Sequence, residues 1–202
     1  MSLAVYVNFM RLRRYKMNPK GVKYHRQGRK PLIMMRQQQN PEGVAQINIA
    51  TMASTLVKID VHIIFHIKTT SVEMREADIP LIHKYIGGII ENLQSIPVSI
   101  GGIADHVHIL CSLPKTLALS DFVRGLKANS SRWIKTLDPH YEGFEWQTGY
   151  GAFSVSPSII DKTINYINNQ AEHHKKVSFN DEYKAFLSAY NIEFNPDYLL
   201  TD

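Results

Sequence analysis

The chain has 202 residues, 44% of them apolar, which suffices for one sizeable core and one domain. Its net charge of +5 is unevenly placed: residues 1–51 hold ten Lys or Arg against one acid, Glu42, whereas residues 52–202 hold thirteen bases against seventeen acids. A single cysteine, Cys111, rules out a disulfide framework, and no apolar run approaches the roughly 20 residues of a bilayer-spanning helix.

Residues 1–51 are rich in Arg, Lys, Gln, Asn, Gly and Pro and show little periodicity, as in RLRRYKMNPKGVKYHRQGRKP. Such a stretch cannot bury enough apolar surface to offset its ordering entropy, so it is expected to be a mostly disordered basic extension. Two readings stay open for it: an arm that tracks phosphates, or translated upstream sequence, with Met52 as the natural start of a domain over 52–202.

From Leu56 to Lys68 the pattern has period 2, which predicts a long strand. Ile59, Val61, Ile63, Phe65 and Ile67 form its core face; Asp60, His62, Ile64 and His66 form the other, read as polar with solvated histidines. Asp78 is a candidate N-cap for a helix in which Ile79, Ile82, Ile86, Ile89, Ile90 and Leu93 recur at helical spacing. Gly87 and Gly88 inside it suggest close packing on the sheet. The run PVSIGGIADHVHILCSLP predicts a hairpin turning at Ala104-Asp105, with Cys111 buried and inert in the returning strand.

In that strand His106 and His108 point one way and Val107 and Ile109 the other. Two imidazoles one strand-step apart suit either a surface pair or two ligands of a divalent cation. Next, LALSDFVRGLKANSSRWIKTL reads as an amphipathic helix with Phe122, Val123, Leu126, Trp133, Ile134 and Leu137 inward. Arg124, Lys127, Arg132 and Lys135 remain for solvent or for phosphate, making this the candidate DNA-contacting surface. After a strand broken at Gly149-Tyr150-Gly151, Ser156 and Pro157 open a helix that is expected to run unbroken through SIIDKTINYINNQAEHHKK. Tyr166 and Gln170, four apart, share a face of it. His173, His174, Lys175 and Lys176 crowd its end, where positive charge suits the dipole. A short helix over NDEYKAFLSAYN and a tail with Phe194, Tyr198 and Leu199 are expected to pack back on the domain.

A tyrosine hydroxyl is a poor nucleophile unless its target is made more electrophilic. A cation on His106 and His108 would polarise a phosphodiester, and the Gln170 amide oxygen would complete the ligand set while docking the helix of Tyr166 beside it.

The four motifs DHVHIL, FVRGLKANSSRWI, WQTGYGAFSVS and INYINNQAEHHKK, in that order, resemble the single-tyrosine HUH transposases of small IS200-like insertion sequences and their relatives associated with repeated extragenic palindromes. The resemblance covers about Ser54 to Asp202. It implies an α+β, ferredoxin-like antiparallel sheet with helices packed on one face and a C-terminal helix carrying the nucleophile. It implies a homodimer that cleaves and rejoins single-stranded, hairpin-bearing DNA through a 5′-phosphotyrosine at Tyr166. His106, His108 and Gln170 map onto ligands of Mg²⁺ or Mn²⁺, with no organic cofactor, no membrane partner and a cytoplasmic, nucleoid-associated setting. Two alternatives stay open, a noncatalytic nucleic-acid-binding module of the same fold and a replication- or conjugation-type nickase.

Overall fold

The computed structural model describes residues 56–195 and two short upstream strands, β1 (Gln38–Gln39) and β2 (Ala45–Gln46), which pair antiparallel with each other. The other expectations for residues 1–51, and the packing of Tyr198 and Leu199, lie outside the described residues.

The domain opens with β3 (Asp60–His66), followed by helix α1 (Ile79–Asn92), the hairpin β4 (Ile96–Gly102) and β5 (His106–Ser112), and helix α2 (Leu119–Ile134). Then come β6 (Gly151–Ser154), α3 (Ile160–Asn168), the single turn α4 (Gln170–His173) and α5 (Phe179–Ala189). The four domain strands form one antiparallel sheet in the order β4-β5-β3-β6, so the fold is α+β and ferredoxin-like, with β3 and β5 central.

The alternation read from β3 holds. Val61, Ile63 and Phe65 join Val107, Ile109 and Cys111 of β5 under α1 and α2 in the main core. The isoleucines of α1 at 82, 86, 89 and 90 form its buried stripe, and α2 buries Phe122, Val123, Leu126 and Ile134 against the same sheet face. Trp133 stacks on Tyr85, with ring centroids 3.9 Å apart, and ties the two helices together. α1 ends where Gln94 takes φ 61° and its N–H reaches the Glu91 carbonyl, with Ser95 N–H on that of Ile90.

Several expectations need correction. The second face of β3 is not solvated: all seven residues of the strand are buried, because α3 and α5 cover that side. Asp78 occupies the N-cap position of α1 without capping it; its carboxylate instead accepts the Tyr141 hydroxyl at 2.7 Å. Gly87 and Gly88 do not mark tight packing, since a Cβ at Gly87 would meet Ile100 at an ordinary 3.6 Å and one at Gly88 would meet nothing. The close approach is at Gly101, opposite His108 in the register, where a Cβ would strike the Ile167 carbonyl oxygen and lie 2.8 Å from its Cγ2. Gly101 therefore lets the backbone of α3 rest directly on β4.

Candidate functional site

β5 lies between two partners, so its outward-alternating residues meet whatever covers the second sheet face. His106 and His108 are fully buried there and point together, away from Val107 and Ile109. They are thus neither a surface pair nor beside solvated neighbours: His62 is buried too, and its Nε2 lies 2.9 Å from His108 Nδ1. His66, also buried, sits against the ring of Phe179 with its Nδ1 on the Ile67 carbonyl. Period 2 in the sequence reports only which residues share a face; the cover on that face comes from elements a hundred residues later.

Hydrogen bonds on the far side of each ring fix what the near side offers. His106 Nδ1 lies 2.6 Å from the Asp105 carboxylate, and His174 Nδ1 lies 2.8 Å from the Val177 carbonyl. A carboxylate and a carbonyl only accept, so both Nδ1 atoms carry the proton and both Nε2 atoms present lone pairs in the neutral rings. His108 can donate from Nδ1 to His62 in the same way, freeing its Nε2. Burial pushes the His108 ring down to about 4 and lowers His62 well below the ordinary value, so both are neutral near pH 7, the form that binds metals.

The expected continuous helix over 158–176 is interrupted. α3 ends at Asn168; the Asn169 N–H turns back to the Tyr166 carbonyl at 3.2 Å, and α4 starts at Gln170. Asn169 Nδ2 caps the Asn165 carbonyl at 2.6 Å, a local side-chain bond that competes with the helical ladder. Ser156 precedes a 3₁₀ turn, Pro157–Ile159, and its hydroxyl pairs with Ser158 instead of capping. Even so, Tyr166 and Gln170 converge. The Tyr166 ring stands edge-on to His108 at 5.9 Å between centroids, and Gln170 Oε1 lies 3.3 Å from His106 Nε2.

Both of these side chains meet a residue that sequence reasoning missed, Glu182 of α5. It is 1% exposed, and its Oε1 accepts the Tyr166 hydroxyl and Gln170 Nε2, the latter at 3.1 Å. Because a carboxylate accepts only, Gln170 must turn its NH₂ to Glu182 and its Oε1 to His106. A lone pair on Oε1 then faces the Nε2 of a ring already protonated at Nδ1, a position that a second proton or a metal cation would satisfy. Burial pushes the Glu182 carboxyl up, yet the pull of His108, His174 and Tyr166 outweighs it and holds the group well below the usual carboxylate range. His173 and His174 also turn toward this carboxylate, at 3.3 and 3.4 Å, and do more than complement a helix end. A signal for Glu182 existed: an acid between Phe179 and Phe186 on one helical stripe is a charge placed on a buried face.

The basic side chains of α2 part ways. Lys127 is half-buried over the Phe65 ring; its ammonium donates to the carbonyls of Gln147 and Gly149, the second at 2.6 Å, and burial lowers its pKa to about 8. Arg124, Arg132 and Lys135 are exposed, with Arg124 paired to Asp121 at 2.7 Å and Lys135 4.0 Å from Glu145. Among the described residues no helix is long and apolar enough to cross a membrane.

Comparison with known proteins adds the following. A family model described as "Transposase IS200 like" matches residues 55–170, more than half of the chain. Two similar solved structures are a candidate transposase of Deinococcus radiodurans R1 and a tyrosine transposase associated with REP sequences, bound to a REP hairpin. The first is 22% identical with a TM-score of 0.47, covering 59% of this chain and 95% of its own. The second is 12% identical with a TM-score of 0.46, covering 62% and 74%. The search of curated proteins finds no match.

Proposed function

Because the chain belongs to the IS200-like transposase family, we propose that it cleaves and rejoins single-stranded DNA at hairpin-bearing ends, with Tyr166 as the nucleophile. The observation that carries this reading is the convergence of His106, His108, Tyr166 and Gln170, from two separate parts of the chain, in one polar cluster. The Tyr166 hydroxyl gives up its proton as its oxygen attacks a backbone phosphorus, a P–O bond to the tyrosine forms, the P–O3′ bond breaks, and the leaving 3′ oxygen takes up a proton in return. Reversal by a 3′-hydroxyl restores a phosphodiester without ATP.

His106, His108 and Gln170 would hold a divalent ion, Mg²⁺ or Mn²⁺, through two Nε2 lone pairs and one amide oxygen; the ion would polarise the phosphodiester and steady the leaving oxygen. The residues fit such an ion, since His108 Nε2 faces the Glu182 carboxylate at 3.3 Å and His106 Nε2 faces an amide oxygen, each with room for a cation's charge between them. Asp105 and His62 orient the two rings from behind. Arg124, Arg132 and Lys135 offer phosphate contacts, while Lys127 braces the loop before β6. Since His106 and His108 are fully buried beneath α5, DNA reaches them only when α5 shifts. A homodimer, in which the tyrosine segment of one subunit completes the other's site, belongs to the same proposal.

Covalent trapping on labelled hairpin DNA tests it: Tyr166→Phe should abolish the denaturant-resistant adduct and leave hairpin binding nearly intact. An adduct that persists in the variant removes Tyr166 from the chemistry. The burial of the histidines favours one competing reading, a noncatalytic binding module, and a wild-type chain that binds hairpins but never forms an adduct would establish it.

A further inference from the structure

His174 and Glu182 play no part in the ligand set above, yet they crowd it. Glu182 Oε2 lies 3.3 Å from His108 Nε2 and 3.4 Å from His174 Nε2, and beyond these ion-pair contacts none of the three atoms makes a hydrogen bond. With the His106 donor, the four ligand atoms all lie within 4.8 Å of one another. Three buried polar atoms whose contacts with one another are this long are costly in a folded protein unless a proton or a cation stands between them. Ligands of a tetrahedral ion with bonds of about 2.0–2.1 Å are about 3.3–3.4 Å apart, the spacing of both Glu182 contacts.

We propose that His106, His108, His174 and Glu182 form a closed four-ligand centre for a transition-metal ion of the Zn²⁺ class, which shares His106 and His108 with the set proposed for the reaction and cannot be filled together with it. The inference rests on the metal-binding reading of the His106 and His108 pair and extends it. Three imidazoles and one carboxylate are a donor set for Zn²⁺ or Co²⁺, whereas Mg²⁺ asks for six oxygens in an octahedron. Each ring has a partner behind it: the Asp105 carboxylate for His106, His62 for His108 and the Val177 carbonyl for His174. Glu182 is held by Tyr166 and Gln170 through Oε1, which leaves Oε2 to the ion. A four-ligand centre leaves no position for a phosphate oxygen, so it would hold α5 over the site and Tyr166 away from DNA.

The full-length chain is titrated with Co²⁺ and then with Zn²⁺, followed by visible absorption and equilibrium dialysis. The expected result is one Co²⁺ per chain with the intense visible bands of four-coordination, displaced by Zn²⁺. Glu182→Gln and His174→Gln should each weaken Co²⁺ binding at least tenfold and erase the intense bands, while Gly88→Ala, in open space on α1, keeps them. Far-ultraviolet circular dichroism identifies any variant that fails to fold, and the other variant then decides. Weak six-coordinate bands in the wild type, or bands unchanged in both variants, would overturn the closed centre. If the wild type nevertheless traps hairpin DNA with Mg²⁺ or Mn²⁺, the proposed reaction stands without it; loss of trapping beside intact four-coordinate bands has the opposite meaning.

Discussion

At the scale of single residues, burial sets the chemistry more than identity does. His83 of α1 and His108 both have pKa values lowered from 6.5 to about 4, in each case chiefly by burial, which for His108 outweighs the raising pull of the Glu182 carboxylate. In the unfolded chain they titrate near 6.5, so between pH 6.5 and 4 the unfolded state binds more protons and stability falls as pH falls. Each such difference is worth up to roughly 3 kcal/mol. Glu182, held low, adds stability that is present above its unfolded value and lost further into acid. His174 is raised and opposes the trend: its share is present below the unfolded value and lost as pH rises through the folded one. The urea midpoint of the metal-free protein should therefore drop between pH 7 and pH 5, and His83→Gln should flatten that slope. A midpoint independent of pH across this window would mean that these rings are charged in the folded state. Cys111, fully buried and pushed up to about 12, should stay unalkylated by iodoacetamide at pH 8 until the chain unfolds; rapid labelling of native protein would contradict its burial.

At the scale of elements, the docking of α3 on β4 decides where Tyr166 stands. Gly101 permits that contact, and any larger side chain must push the Ile167 backbone outward. Gly101→Val should cost about 1–3 kcal/mol through overpacking, or about 2–4 °C of Tm for each kcal/mol in a domain of this size. Gly88→Ala, with open space at its Cβ in mid-helix, should instead stabilise by up to about 1 kcal/mol. A Tm for Gly101→Val equal to that of wild type would show that α3 does not rest there. α5 owes its place to the Ser178 cap, whose oxygen accepts the Asp181 N–H at 3.2 Å, and to Phe186 and Leu187 packed with Ile64 and Phe153. Its stripe carries Glu182 into the histidine cluster, so apolar packing provides the binding energy that holds a buried acid in position.

At the scale of the whole molecule, the ferredoxin-like sheet presents one face to α1 and α2 and the other to the C-terminal helices, and the chemistry-bearing residues all fall on the second. A chain begun at Met52 is expected to keep the Tm and the hairpin affinity of the full chain at moderate salt. A large drop in affinity would assign residues 1–51 to phosphate binding, and the accompanying change in salt dependence would give the number of phosphates that the extension neutralises.

The sequence by itself determined most strands and helices of the domain, though not the break of the late helix at Asn169, because alternation in Val61, Ile63 and Phe65 and helical spacing in Ile82, Ile86 and Ile90 are local consequences of backbone geometry. It also determined that His106 and His108 stand side by side, since one strand contains both. Only the tertiary structure decided that this pair is buried, that Gly101 and not Gly88 bears the close approach, and that Glu182 and His174 join the cluster. Those facts depend on α3 to α5 folding over the sheet, and the meeting of residues so far apart along the chain comes from the collapse of apolar surface, which no local period encodes.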